Sequence, residues 1–148
     1  MRILCSAFVC LLSASHVFAD ETHIAEARQS LKNYGLSHCI LKHFKEKSEL
    51  ETDIARSAGA YSFMGNGMHT VVQDEDTLKV THDPYMNTRI YVFNAYDNTS
   101  SVSKYTDKKL AMHGCLSVYN SLAFDAFIKT QDQFITEQAS ENPSFRSN

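Results

Sequence analysis

The sequence predicts an all-α protein: a single-domain, compact helical bundle of about five helices, with one disulfide linking the first and fourth helices. Three observations lead there. Chain breakers are scarce, with two prolines and five glycines in 148 residues. Apolar residues recur at three- and four-residue steps over long stretches, and regular alternation is missing. Beyond the N-terminal segment there are two cysteines, Cys39 and Cys115, and both fall on such apolar stripes.

Residues 1–19 read as a cleavable signal peptide. Arg2 supplies the charged start, Ile3 to Leu12 is almost unbroken apolar or small, and Val17-Phe18-Ala19 precedes acidic Asp20-Glu21. The apolar run falls short of the roughly 20 residues that span a bilayer. Cys10 follows Ala7-Phe8-Val9, a poor context for lipid attachment, and no later stretch suits a membrane helix, so no membrane anchor is expected. The expected organisation is a signal peptide over 1–19, one helical domain over 20–136 and a flexible polar tail over 137–148. A formal charge of −3 with no basic patch argues against nucleic acid as a partner.

The first helix is expected from Thr22, as cap, to about Glu46. Ile24, Ala27, Leu31, Tyr34, His38 and Leu41 form its stripe, with a break admitted at Gly35. Ser48-Glu49-Leu50-Glu51 is a capping box that opens a second helix, with Leu50, Ile54, Ala58 and Tyr61 in step. Gly65-Asn66-Gly67 ends or kinks it, and Met68 to Gln73 is read as a further short turn of helix. Asp74-Glu75-Asp76 begins a polar connection.

Asp83-Pro84 marks the start of a third helix running to about Tyr96, Asp83 as cap and Pro84 in the first turn. Its residues are apolar nearly all round, which predicts a central position. A strand is the alternative there, because Arg89 to Phe93 is β-branched and aromatic. Asp97 to Lys104 is the clearest loop. Thr106 or Ser103 then caps a fourth helix with Leu110, Ala111, Cys115, Val118 and Leu122 as its stripe. Asn120-Ser121 breaks it and opens a fifth, carrying Phe124, Phe127, Ile128 and Phe134.

Cys5 and Cys10 lie in the signal segment, so Cys39 and Cys115 remain as a lone pair in an exported chain. The simplest reading is a disulfide. Two alternatives stay open: two buried free thiols, or Cys115 as a nucleophile with His113 or His38 as base. A thiol nucleophile must stay reduced, which export opposes, and positions 113 and 115 do not share a helix face. No pair of histidines has zinc-helix spacing, so no metal site, cofactor or catalytic residue is expected. Asp74-Glu75-Asp76 lacks the pattern of a calcium loop and reads as a solvated turn. Asn98-Thr99-Ser100 is a glycosylation sequon that implies surface exposure. Among the many aromatics, Tyr96 and Tyr105 bracket the polar loop and are expected to be exposed.

The segment Leu110-x4-Cys115-Leu116-x2-Tyr119-x-Ser121, with the signal peptide and the Leu31-to-Ile40 segment around Cys39, resembles the family-4 immunity proteins of type VI secretion amidase effectors. In this chain Met112, not Leu110, stands three before Cys115. The resemblance implies a periplasmic, all-helical, non-enzymatic homodimer. Its partner would be a cognate peptidoglycan amidase effector, a papain-like cysteine hydrolase, inhibited by a loop inserted into its catalytic cleft. The corresponding loop here is Asp97, Asn98, Thr99, Ser100, Ser101, Val102, Ser103, Lys104 and Tyr105. The alternative readings are a periplasmic helical peptide- or ligand-binding module and a cysteine-dependent enzyme.

Overall fold

In a computed structural model, residues 14–44, 46–62 and 67–136 are described. The elements run α1 (Ala14–His43), α2 (Glu49–Ser62), β1 (Val72–Gln73), β2 (Val80–His82), α3 (Pro84–Asp97), α4 (Ala111–Tyr119) and α5 (Leu122–Lys129), closed by a 3-10 turn at Asp132–Phe134. The expected signal peptide lies mostly outside the described residues, with 14–19 continuous with α1. The expected tail, 137–148, lies outside them altogether.

Helix α1 is the centre of the bundle and packs against α2, α3, α4 and α5. Ala27, Leu31, Tyr34 and Cys39 are its buried apolar side chains, and Leu31 and Tyr34 join Tyr85, Val92, Tyr96, Val118, Phe124 and Ile128 in one core. The expected break at Gly35 does not occur. That glycine is instead where side chains of α3 and α5 press on α1: a Cβ there would stand 2.9 Å from Thr88 Cγ2 and 3.0 Å from Phe124 Cζ. The helix also starts eight residues before Thr22, so Thr22 is not a cap.

Several local rules operate as the sequence predicts. Ser48 Oγ accepts from the Glu51 amide at 3.0 Å, half of a capping box. Asp83 accepts from the amides of Tyr85 and Met86 with Pro84 in the first turn of α3. Ser121 Oγ accepts from the Phe124 amide and starts α5. Residues 89–93 are helical, which removes the strand alternative.

Three further expectations are corrected. Met68 to Gln73 is not helical: Val72–Gln73 pairs antiparallel with Val80–His82, and His69 bridges to Ile135. The acidic segment between the strands is their turn. Asp74 Oδ1 accepts from the Thr77 amide at 2.8 Å and from Thr77 Oγ1 at 2.7 Å, and Leu78 takes a φ of 55°. Those Thr77 hydrogen bonds hold the Asp74 carboxyl below its ordinary value. Secondly, α3 is not central. It buries Tyr85, Thr88, Val92 and Tyr96, a helical stripe, and leaves Met86 and Ile90 exposed. Thirdly, α4 begins at Ala111 with no side-chain cap, so neither Ser103 nor Thr106 starts it. Leu110 and Leu122, expected on its buried stripe, are exposed.

Cys39 and Cys115 are joined in a disulfide, their Cα atoms 5.7 Å apart and 76 residues apart in sequence. Both are about 1% exposed, and the bond ties α1 to α4. Buried, covalently paired sulfur leaves Cys115 no thiolate with which to attack a substrate. His38 sits on α1 against the Tyr34 ring, 4.4 Å between centroids, and burial lowers its pKa.

Candidate functional site

The segment between α3 and α4 is longer and more ordered than a polar loop needs to be. It leaves α3 at Asn98, whose amide bonds Ala95 O and whose Nδ2 donates to Asn94 O at 2.9 Å. Thr99 Oγ1 donates to Tyr96 O at 2.8 Å and lies 3.0 Å from Ser101 Oγ. Ser101 is buried, and its carbonyl accepts from the Leu110 amide at 2.8 Å. Residues 97–101 thus form the seat of the segment.

From that seat a narrow turn projects. Val102 bridges to Lys109 as an antiparallel pair. Ser103 N donates to Lys108 O at 2.8 Å, and Asp107 N to Ser103 O at 3.2 Å. Asp107 closes the turn with a φ of 53°, a left-handed conformation that Asp tolerates better than most residues. Ser103 Oγ accepts from the Tyr105 amide at 3.2 Å. At the apex Tyr105 is 97% exposed. The structure therefore divides the nine residues singled out from sequence: Asp97 to Ser101 anchor, and Val102 to Tyr105 form one arm and the tip. Its returning arm, Thr106 to Lys109, was not singled out. No periodicity marks it, because its role depends on pairing across the turn.

Two contacts fix how the turn leaves the bundle. Lys109 Nζ donates to Tyr96 O at 3.0 Å and to Asp97 O at 2.7 Å, and lies 5.1 Å from the centroid of the Tyr96 ring. A cation there joins Thr99 as a donor to the Tyr96 carbonyl, bonds the last carbonyl of α3 at Asp97, and complements the helix dipole. On the other side Gly114 of α4 presses against the same ring and against Ser101. A Cβ at 114 would stand 2.5 Å from Tyr96 Cε2 and 2.7 Å from Ser101 Oγ. Tyr96 is thus 4% exposed, not an exposed bracket of the loop as its sequence position implied, and burial raises its pKa. His43 of α1 lies tilted against its ring, 3.9 Å between centroids.

Elsewhere, an open groove of ≈450 Å³ lies between the end of α1 and the start of α2, with Ile40, Phe44, Leu50 and Ile54 among its lining. It is where a peptide- or ligand-binding module would seat a ligand. Among the described residues no group of three or more His, Cys, Asp and Glu side chains is placed to hold a metal ion. No described helix is long and apolar enough to cross a membrane.

The family model described as type VI secretion system (T6SS), amidase immunity protein, Tai4, matches residues 29–128. The chain belongs to this family. The matched stretch runs from the middle of α1 to the last turn of α5 and takes in both disulfide cysteines and the whole protruding turn. No curated protein and no solved structure matches the chain significantly. Membership assigns this Tai4 chain an amidase-immunity function in type VI secretion, with a cognate amidase effector as the partner. It makes the protein an amidase inhibitor by family.

Proposed function

We propose that this Tai4 protein acts in the periplasm, exported by the signal at residues 1–19, and blocks a peptidoglycan amidase by inserting the turn between α3 and α4 into its catalytic cleft. The effector is a papain-like cysteine hydrolase of cell-wall stem peptides, and the inhibitor works as a homodimer. The observation that carries this reading is the braced turn with Tyr105 at its apex, 97% exposed. Inhibition by insertion needs a segment narrow enough to enter a cleft and stiff enough to lose little entropy on entry. A turn closed by cross-strand bonds and clamped by Lys109 meets both needs.

The test is protection. Cells exporting the amidase should lyse, and co-expression of the full chain should rescue them. A chain with residues 103–108 replaced by a two-residue Asn-Gly turn should fold and fail to rescue. Rescue by that shortened chain would exclude insertion by this turn, and a sedimentation mass of one chain would exclude the dimer.

A further inference from the structure

We propose that the tip Lys104–Lys108 is the recognition element for the partner, with Tyr105 as apolar anchor and Lys104 and Lys108 as charge selectors. The cleft it fits has a slot the width of a phenol ring and carboxylates on its rim. This rests on the insertion reading above and goes further, by assigning which atoms do the recognising and what chemistry must face them.

The argument for Tyr105 is positional. A single exposed aromatic on a surface needs no explanation. This one stands at the apex of a turn whose backbone is held by the Ser103–Lys108 and Asp107–Ser103 hydrogen bonds, the Val102–Lys109 bridge and the Leu110–Ser101 hydrogen bond. The Cα position of Tyr105 is therefore set before any partner arrives. A tyrosine then adds large contact area at the cost of two side-chain torsions, which is why it recurs as an anchor at interfaces.

The argument for the lysines is one of sign. The chain carries a formal charge of −3. Within the turn Lys104 and Lys108 are exposed, with Asp107 as the one acidic residue between them. Lys109 is not available for recognition, because its amine is bonded to the carbonyls of Tyr96 and Asp97. The tip is thus net positive on a net negative protein. An acidic-rimmed cleft is repelled by the body and drawn to the tip, which orients the encounter and rejects clefts with basic rims.

The experiment titrates the full chain and its variants against the purified type VI amidase effector of the same genome, following association and dissociation separately. Tyr105→Ala should raise Kd at least ~30-fold, chiefly through faster dissociation. Tyr105→Phe, which keeps the ring, should bind nearly as wild type. The double variant Lys104→Glu/Lys108→Glu should slow association about tenfold and flatten its dependence on sodium chloride. All three should unfold at the wild-type temperature, since the side chains are exposed. Wild-type affinity in Tyr105→Ala overturns the anchor, and an unchanged salt dependence in the charge variant overturns the selector. If the chain with the shortened turn still loses binding in either case, insertion survives without this assignment. If the shortened chain binds normally, or the wild type does not bind, both readings fall.

Discussion

Lys109 closes the protruding turn onto Tyr96: its ammonium meets the Tyr96 carbonyl at 3.0 Å and sits 5.1 Å from the centre of the same residue's ring. One side chain therefore ties the last turn of α3 to the arm that leads into α4. Replacing it should loosen the turn without unfolding the bundle. Lys109→Met keeps the stem and removes the charge. We expect a stability loss of about 1–2 kcal/mol and faster amide exchange at residues 102–109, measured by hydrogen exchange. Unchanged exchange there would show that the backbone bonds alone hold the turn.

Gly114→Ala tests the seat from the other side. The added methyl would meet the Tyr96 ring and Ser101 Oγ at distances that require something to move. Overpacking of this kind costs about 1–3 kcal/mol, and the alanine's better helix propensity returns only ~1 kcal/mol of it. The midpoint of urea unfolding should fall and the turn's exchange should rise together. A variant as stable as wild type would mean that the contact between α4 and α3 gives way easily.

Reduction of Cys39–Cys115 should destabilise strongly. Closing a loop of 76 residues contributes roughly 4–5 kcal/mol on chain-entropy arguments, a large share of the ~5–15 kcal/mol typical of a domain. The measurement compares urea midpoints of the oxidised protein and of Cys39→Ala/Cys115→Ala. Equal midpoints would show that the core holds without the brace. Thiol titration of the unfolded, unreduced protein should find neither cysteine free.

Stability should also depend on pH through His69. The residue is 7% exposed, neither ring nitrogen has a hydrogen-bond partner among the described residues, and burial pushes its pKa down to about 4. The nearby Asp132 raises it and His23 lowers it by smaller amounts. The unfolded chain takes up the proton near pH 6.5 and the folded chain only near 4. This contribution is therefore complete above pH 6.5 and fades as pH falls toward 4, by about 3 kcal/mol in full. The urea midpoint should drop between pH 7 and pH 4.5, and His69→Phe should flatten the drop. The segment that gives way first should be 131–136, which is held by the His69–Ile135 bridge, the Arg28–Asp132 ion pair and the hydrogen bond of His82 to Gln131.

What could be read from the sequence was what neighbours in sequence decide. Asp83-Pro84, Ser48 and Ser121 start helices because their side chains bond amides two or three residues on. The pairing of Cys39 with Cys115 followed from their being the two cysteines beyond the segment read as a signal peptide. The hairpin was missed because β1 and β2 are two and three residues long and mostly exposed, so no apolar alternation marks them. The start of α4 was misplaced because Leu110 makes no side-chain cap. The turn's returning arm went unrecognised because the partners of Lys109, Tyr96 and Asp97, lie 13 and 12 residues away. Tyr96 and Tyr105 look alike as sequence. Only the packing of Gly114 and His43 onto one of them separates a core ring from a presented one.

The disulfide also changes what a cut at the tip would mean. Residues 39 to 115 form a covalent ring, and the turn lies on its circumference. Cleavage after Lys104 or Lys108 would leave Cys39 on one fragment and Cys115 on the other, so the two would remain a single molecule. The exposed tip of the turn is thus a place where a nick opens a loop and releases nothing. On a gel such damage would stay hidden until reductant was added.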